Sequence, residues 1–120
     1  MTLSDRISEC FQTVGEKAFT FSNIPEEILT PETGYTVTSA TRVTQFGLAH
    51  FWIELTGELT ASTKIVARLN GVKTGAYTGT AHAYPNVSAT ARITGAGNLS
   101  MSASVATTGS IRIYITAPAA

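Results

Sequence analysis

The chain has 120 residues, a hydrophobic fraction of 43% and no net charge. This length fits a single domain with a modest core. Charged residues make up 13% of the chain, about half the usual share, and twenty threonines and ten serines stand in their place. Because β-branched threonine suits a pleated surface, this composition favours strands with an uncharged outer face.

Charge is divided unevenly along the chain. All eight carboxylates precede residue 59 and share that half with three cations, which leaves it at −5. The second half carries five cations and no carboxylate, which leaves it at +5. Five dispersed cations are too few for a nucleic-acid-binding surface, so no nucleic-acid partner is expected. The asymmetry predicts that the halves, or neighbouring chains, neutralise each other.

Residues 2–17 are predicted to form the one helix of the chain, with Ser4 as its N-cap. Its apolar residues follow the spacing of a coiled-coil seam and are Leu3, Ile7, Cys10 and Val14. The segment 1–17 is therefore either a trimerisation segment or an amphipathic helix lying on its own domain. The single cysteine excludes an intrachain disulfide. With no secretory signal and no apolar run of about 20 residues, neither export nor membrane insertion is expected.

From residue 18 onward, apolar and polar residues alternate with the period of a strand. The segments with this pattern are 18–22, 35–42, 48–59, 64–69, 80–84, 87–94, 99–105 and 111–116. Glycine, proline and polar residues predict loops at 23–31, 75–79 and 107–109, and the first of these has room for a helical turn between its two prolines. Short strands separated by frequent turns predict an all-β domain over residues 18–120, an antiparallel, jelly-roll-like β-sandwich.

The residue sets of common catalytic and metal sites are missing from the sequence. His50 and His82 have no His or Cys neighbour at metal-ligand spacing. The single aspartate, Asp5, lies in the predicted helix, which argues against a Ser–His–Asp triad. Glu54 and Glu58 could pair for glycoside hydrolysis, but Glu58 ends its strand beside a glycine. We therefore expect no enzymatic activity, no metal and no cofactor.

Aromatic rings with amide and hydroxyl groups nearby are suited to holding an uncharged sugar. The segment 74–86 concentrates such groups, and its candidate ligand-binding residues are Tyr77, His82, Tyr84 and Asn86. Trp52 and Tyr114 lie at outward-facing positions of two predicted strands. We expect both rings to be covered by another chain, because large exposed apolar groups usually mark an interface.

Three stretches resemble a known protein family. They are GYTVTS at 34–39, GLAHFWIELTG at 47–57 and TKIVARLNGVK at 63–73. Together they resemble the C-terminal head domain of tailed-phage receptor-binding and tail-fibre (baseplate) proteins, over residues 20–117. Two positions depart from the family pattern. Asn70 stands where the family often has proline, and the segment 75–77 only loosely matches its aromatic-Arg-Pro segment.

The resemblance implies a homotrimer whose helix 1–17 joins the head to a fibre or baseplate. It also implies a location in the virion tail of a phage or prophage, synthesis in the bacterial cytoplasm, and binding of a host cell-surface or cell-wall saccharide. The Leu3/Ile7/Cys10/Val14 seam, Trp52 and Tyr114 would then be subunit-interface residues. Two alternatives are a structural trimerisation cap without a ligand and a secreted trimeric jelly-roll binding module. The missing signal peptide disfavours the second.

Overall fold

The computed structural model describes residues 19–83 and 87–120, which form nine strands and one short helix. In chain order these are β1 (Phe19–Ser22), α1 (Pro25–Ile28), β2 (Leu29–Pro31), β3 (Thr36–Gln45), β4 (Leu48–Leu59), β5 (Lys64–Leu69), β6 (Tyr77–Ala83), β7 (Val87–Thr94), β8 (Asn98–Ala103) and β9 (Thr107–Pro118). The predicted helix over 2–17 and its four seam residues lie outside the described residues. No helix in the described part is long and apolar enough to cross a membrane.

The predicted antiparallel all-β fold is confirmed. The described strands form one sheet in the order β1-β3-β4-β9-β6-β7-β8-β5-β2, in which every pairing is antiparallel. The sheet curls into a half-barrel, and β4 approaches β8 although three strands lie between them. One curled sheet therefore supplies the facing layers that the alternation predicted.

Side-chain alternation accounts for the core. In β4, Phe51, Ile53 and Leu55 are buried, whereas Trp52 is exposed. The strands β4, β5 and β7 begin and end at the residues that the sequence pattern predicted. Alternating residues from β4 to β9 meet in one continuous buried cluster on the inner face of the sheet. Threonine, serine and aromatic residues lie on the outer face.

Parts of all three predicted loops are strands, and long-range pairing explains each correction. Residues 29–31 form β2, which pairs with β5. Residues 77–79 belong to β6, and 107–109 belong to β9, where Gly109 pairs with Gly57 of β4. Pairing with β7 outweighs the turn preference of Gly79, and pairing with β4 outweighs that of Gly109. The ring of Tyr35 occupies the space above Gly57, and its hydroxyl donates to the Glu58 carbonyl at 2.7 Å. Burial, and then the Glu58 carboxylate, raises the pKa of the Tyr35 phenol.

An arginine holds the two ends of the sheet together. The edge strands β1 and β2 are consecutive in the chain and are joined by residues 23–28. Arg42, on β3, donates from Nη1 to the carbonyls of Glu27 at 3.3 Å and Asn70 at 3.2 Å. Asn70 follows β5 at the other end of the sheet, and its Nδ2 also donates to the Glu27 carbonyl. These bonds tie together the first and last strand pairs.

Replacing Arg42 with glutamine is expected to lower the free energy of unfolding by about 1.5 kcal/mol, because two carbonyls lose a charged donor. Urea unfolding followed by circular dichroism measures this loss. Arg68→Gln is the matched control, since Arg68 is exposed on β5 and its loss should stay within about 0.5 kcal/mol. Equal effects of the two substitutions would show that Arg42 does not hold the sheet ends together.

Candidate functional site

Three aromatic side chains form a cluster on the outer face of β4 and β9. Trp52 pairs across the ladder with Tyr114, and their ring centroids lie 5.1 Å apart at an interplanar angle of 41°. His50 also stacks on Trp52, with a centroid distance of 6.2 Å. Trp52 keeps 45% and Tyr114 keeps 41% of its surface exposed. This aromatic cluster is a preformed surface on which an apolar ring face can stack.

Hydrogen bonds hold the cluster in one arrangement. His50 Nδ1 lies 3.0 Å from Thr116 Oγ1 and 3.4 Å from the Tyr114 hydroxyl. Thr116 Oγ1 also donates to the Tyr114 hydroxyl at 3.3 Å. Because His50 Nδ1 and the Tyr114 hydroxyl are each engaged by a neighbour, a ligand would meet two rings that are already oriented. Preorganised rings reduce the entropy cost of binding.

Beside the cluster, the ladder between β6 and β9 ends before either strand does. The ladder between these strands ends at the Thr80–Tyr114 pair, although β6 starts at Tyr77 and β9 continues to Pro118. A shallow depression of about 360 Å³ lies beyond the last ladder pair, lined by Thr78, Gly79, Thr80, Tyr114, Ile115 and Thr116. A Cβ on Gly79 would lie 2.6 Å from the Tyr114 carbonyl oxygen. The missing side chain at this position therefore permits the close approach of the two backbones.

The opposite side of the cluster borders a second depression of about 280 Å³, lined by Trp52, Thr80, Ala81, His82, Arg112, Ile113 and Tyr114. His82 and Arg112 are cross-strand partners at its rim. Arg112 Nε lies 3.8 Å from Glu54 Oε2, and the Arg112 side chain remains 70% exposed. Glu54 Oε1 accepts a hydrogen bond from Ser110. The depression thus combines exposed nitrogen donors with the aromatic rings of Trp52 and Tyr114.

Hydroxyl groups extend the surface away from the cluster across β6, β7 and β8. Thr80 pairs with Thr90, and Thr90 pairs with Ser102. Thr90 Oγ1 and Ser102 Oγ lie 2.9 Å apart. With Trp52 and Tyr114, these residues form one row that crosses five neighbouring strands. A row of uncharged donors and acceptors beside aromatic rings matches the chemistry that the composition predicted.

The predicted ligand residues are not brought together. Tyr77 packs against the core, whereas His82 is exposed on the outer face of the same strand. Tyr84 and Asn86 lie outside the described residues. His82 instead lines the same depression as Trp52 and Tyr114, which were predicted as subunit-interface residues. The structure therefore joins one predicted ligand residue to two predicted interface residues.

Sequence reasoning missed Thr80, Thr116 and Gly79 as parts of this surface. A glycine inside a strand often marks a close backbone approach, and Gly79 carried that signal. It was instead interpreted as part of a loop. The threonines carried no signal of their own, because twenty of them are spread along the chain.

Within residues 19–83 and 87–120, no three His, Cys, Asp or Glu side chains lie close enough together to hold a metal ion. Comparisons with protein-family models, curated proteins and solved structures found no match to this chain.

Proposed function

We propose that this domain is the homotrimeric receptor-binding head of a phage or prophage tail protein, and that it binds a host surface saccharide without hydrolysing it. The observation that carries the proposal is the exposed aromatic cluster beside two depressions. Pyranose rings present an apolar face and a rim of hydroxyl groups. The Trp52 and Tyr114 rings can stack on the apolar face of the sugar, and the neighbouring hydroxyl and nitrogen groups can form hydrogen bonds with its hydroxyl rim.

Two features support a ligand at the cluster itself. The rings are linked by hydrogen bonds and stacking while nearly half of each surface stays open. The neighbouring strands carry hydroxyl groups where charged residues would be more usual. The saccharide would lie along the row of Trp52, Tyr114 and Thr80 and occupy the depression lined by Thr78, Gly79 and Thr116.

Trp52→Ala is expected to weaken saccharide binding by about 2 kcal/mol, roughly thirtyfold in Kd, because the variant loses most of the buried ring surface. Trp52 is the single tryptophan, so its fluorescence reports binding in the native chain. Titration with cell-wall and surface oligosaccharides identifies the ligand, and calorimetry compares the variants. Val105→Ala is the matched control, since Val105 is 58% exposed and follows β8, away from the cluster.

Binding that is lost in Trp52→Ala and kept in Val105→Ala supports the proposal. Saccharide binding that is unchanged in Trp52→Ala would place the ligand elsewhere. Chromatography of the incubated saccharide provides a further readout, and a shortened product would contradict the proposal of binding without hydrolysis.

A structural trimerisation cap is the second candidate, and the exposed apolar side chains favour it. Six large apolar residues are exposed on or beside β1, β3, β4 and β9. They are Phe21, Ile24, Phe46, Leu48, Trp52 and Tyr114. Such a concentration is typical of a surface that another chain covers. A stable trimer that binds no saccharide across a broad panel would favour the cap over the receptor-binding head.

A further inference from the structure

A row of charged and nitrogen-bearing side chains lies next to the aromatic cluster. On the outer face of β4, β9 and β6, the row beside the Trp52–Tyr114 pair consists of Glu54, Arg112 and His82. Neighbouring rows on one face of a sheet are about 7 Å apart, because two residues of the strand separate them. A sugar ring stacked on Trp52 would therefore hold its exocyclic group within reach of the Arg112 side chain, and both residues line the same depression.

The Arg112 guanidinium is not occupied by its acidic neighbour. The two groups approach most closely between Arg112 Nε and Glu54 Oε2, at 3.8 Å, which is too long for a hydrogen bond. Glu54 Oε1 instead accepts a hydrogen bond from Ser110. Because the Arg112 side chain is 70% exposed, its nitrogen donors are accessible to a ligand in the depression.

The surface that extends from Arg112 away from β4 is basic. The strands β5 to β9 carry no carboxylate. Their exposed cations are Lys64, Arg68, Arg92 and Arg112. On the outer face of β4, Glu54 and Glu58 oppose this charge, and Glu58 pairs with Thr108, four residues before Arg112. Since a surface with charges of one sign attracts ligands of the other, the side toward β6 favours an anion.

Arg112 and His82 together offer more donors than a single sugar hydroxyl can use. The two residues are cross-strand partners, and both are exposed. A guanidinium presents parallel N–H groups that match two oxygens of a carboxylate or phosphate. Imidazole donates at least one N–H in either protonation state. One hydroxyl oxygen cannot match this two-oxygen geometry, so the pair is better suited to an acidic group.

We propose that the saccharide carries a carboxylate or phosphate group, which Arg112 and His82 bind while Trp52 and Tyr114 stack on the sugar ring. This inference rests on the proposed function, because it names the class of saccharide that binds at the same surface. The Glu54 carboxylate would then weaken binding of the acidic sugar, since it lies beside Arg112 and has the same sign of charge as the ligand.

Matched pairs of probes test the inference. The first pair is a tetrasaccharide of glucuronic acid and N-acetylglucosamine, and the same molecule with its carboxylates reduced to alcohols. The second pair is maltotetraose with one phosphate ester, and maltotetraose itself. We define the charge preference as the Kd of the neutral member divided by the Kd of the charged member. The wild type should show a preference of about tenfold for at least one pair, and added NaCl should reduce it.

Two substitutions should change the charge preference in opposite directions. Arg112→Gln should abolish most of it, because the variant loses the charged donor. Glu54→Gln should increase it about twofold, because glutamine can still accept from Ser110 but no longer repels an anion. Arg68→Gln is the matched control, since it also removes one positive charge but lies on β5, outside the depression. Equal losses of preference in Arg112→Gln and Arg68→Gln would overturn the assignment to Arg112.

The outcomes separate this inference from the proposed function. Equal binding of the charged and neutral members, with both weakened in Trp52→Ala, would overturn the inference and leave saccharide binding at the cluster intact. If neither these probes nor the cell-wall and surface oligosaccharides bind, both proposals are contradicted. The pair that shows the preference distinguishes a carboxylate-bearing ligand from a phosphate-bearing one.

Discussion

Replacing Gly97 with alanine is expected to lower the free energy of unfolding by about 3 kcal/mol. Gly97 lies between β7 and β8 with φ at +97°, and a Cβ there would collide with the Leu69 carbonyl oxygen at the end of β5. Leu69 N donates to the Gly97 carbonyl at 2.7 Å. The backbones are therefore held too close for either to move aside without losing this bond.

Gly95→Ala separates the two causes of this loss. Gly95 also has positive φ, at +58°, but the nearest atom to its added Cβ is Asn98 Nδ2 at 3.7 Å. Only the backbone strain applies there, so we expect a loss of about 1 kcal/mol. Urea unfolding of both variants at one protein concentration gives the comparison. Equal losses of unfolding free energy in the two variants would mean that the contact with Leu69 does not contribute to the effect of Gly97→Ala.

The largest effect is expected from Phe51→Ala, at about 4 kcal/mol. Phe51 lies in the middle of β4, is fully buried, and stands opposite Arg42 and Ile115 in the flanking strands. Alanine would leave a cavity on the inner face of the curled sheet, where backbone ladders on both sides restrict collapse. The loss is measured as a shift in the midpoint of urea unfolding, without a change in the slope of unfolding free energy against urea concentration.

Thr56→Ala is the control on the same strand, because Thr56 is exposed on the outer face. Its effect should stay within about 0.5 kcal/mol. A loss below about 1 kcal/mol for Phe51→Ala would show that this side chain is not packed in the core. Protein concentration must be held constant in both series, because self-association would add to the apparent stability.

The alternation of apolar and polar residues determined which side of each strand enters the core. Phe51, Ile53 and Leu55 could be assigned to one face because side chains on a strand alternate with a period of two. The same rule assigned Trp52 and Tyr114 to the outer face. It located β4, β5 and β7 to the residue. Loops were wrongly predicted at residues 29–31, 77–79 and 107–109, where pairing with another strand outweighs the local preference of proline and glycine.

The tertiary structure alone decided which outward side chains meet. β9, the last strand of the chain, lies between β4 and β6, so Trp52, Tyr114 and His82 share one surface although they are far apart in sequence. The pairing order and the end of the β6–β9 ladder arise from long-range hydrogen bonds and from closure of the core. Strand periodicity is a local property and carries no information about which strand becomes the neighbour.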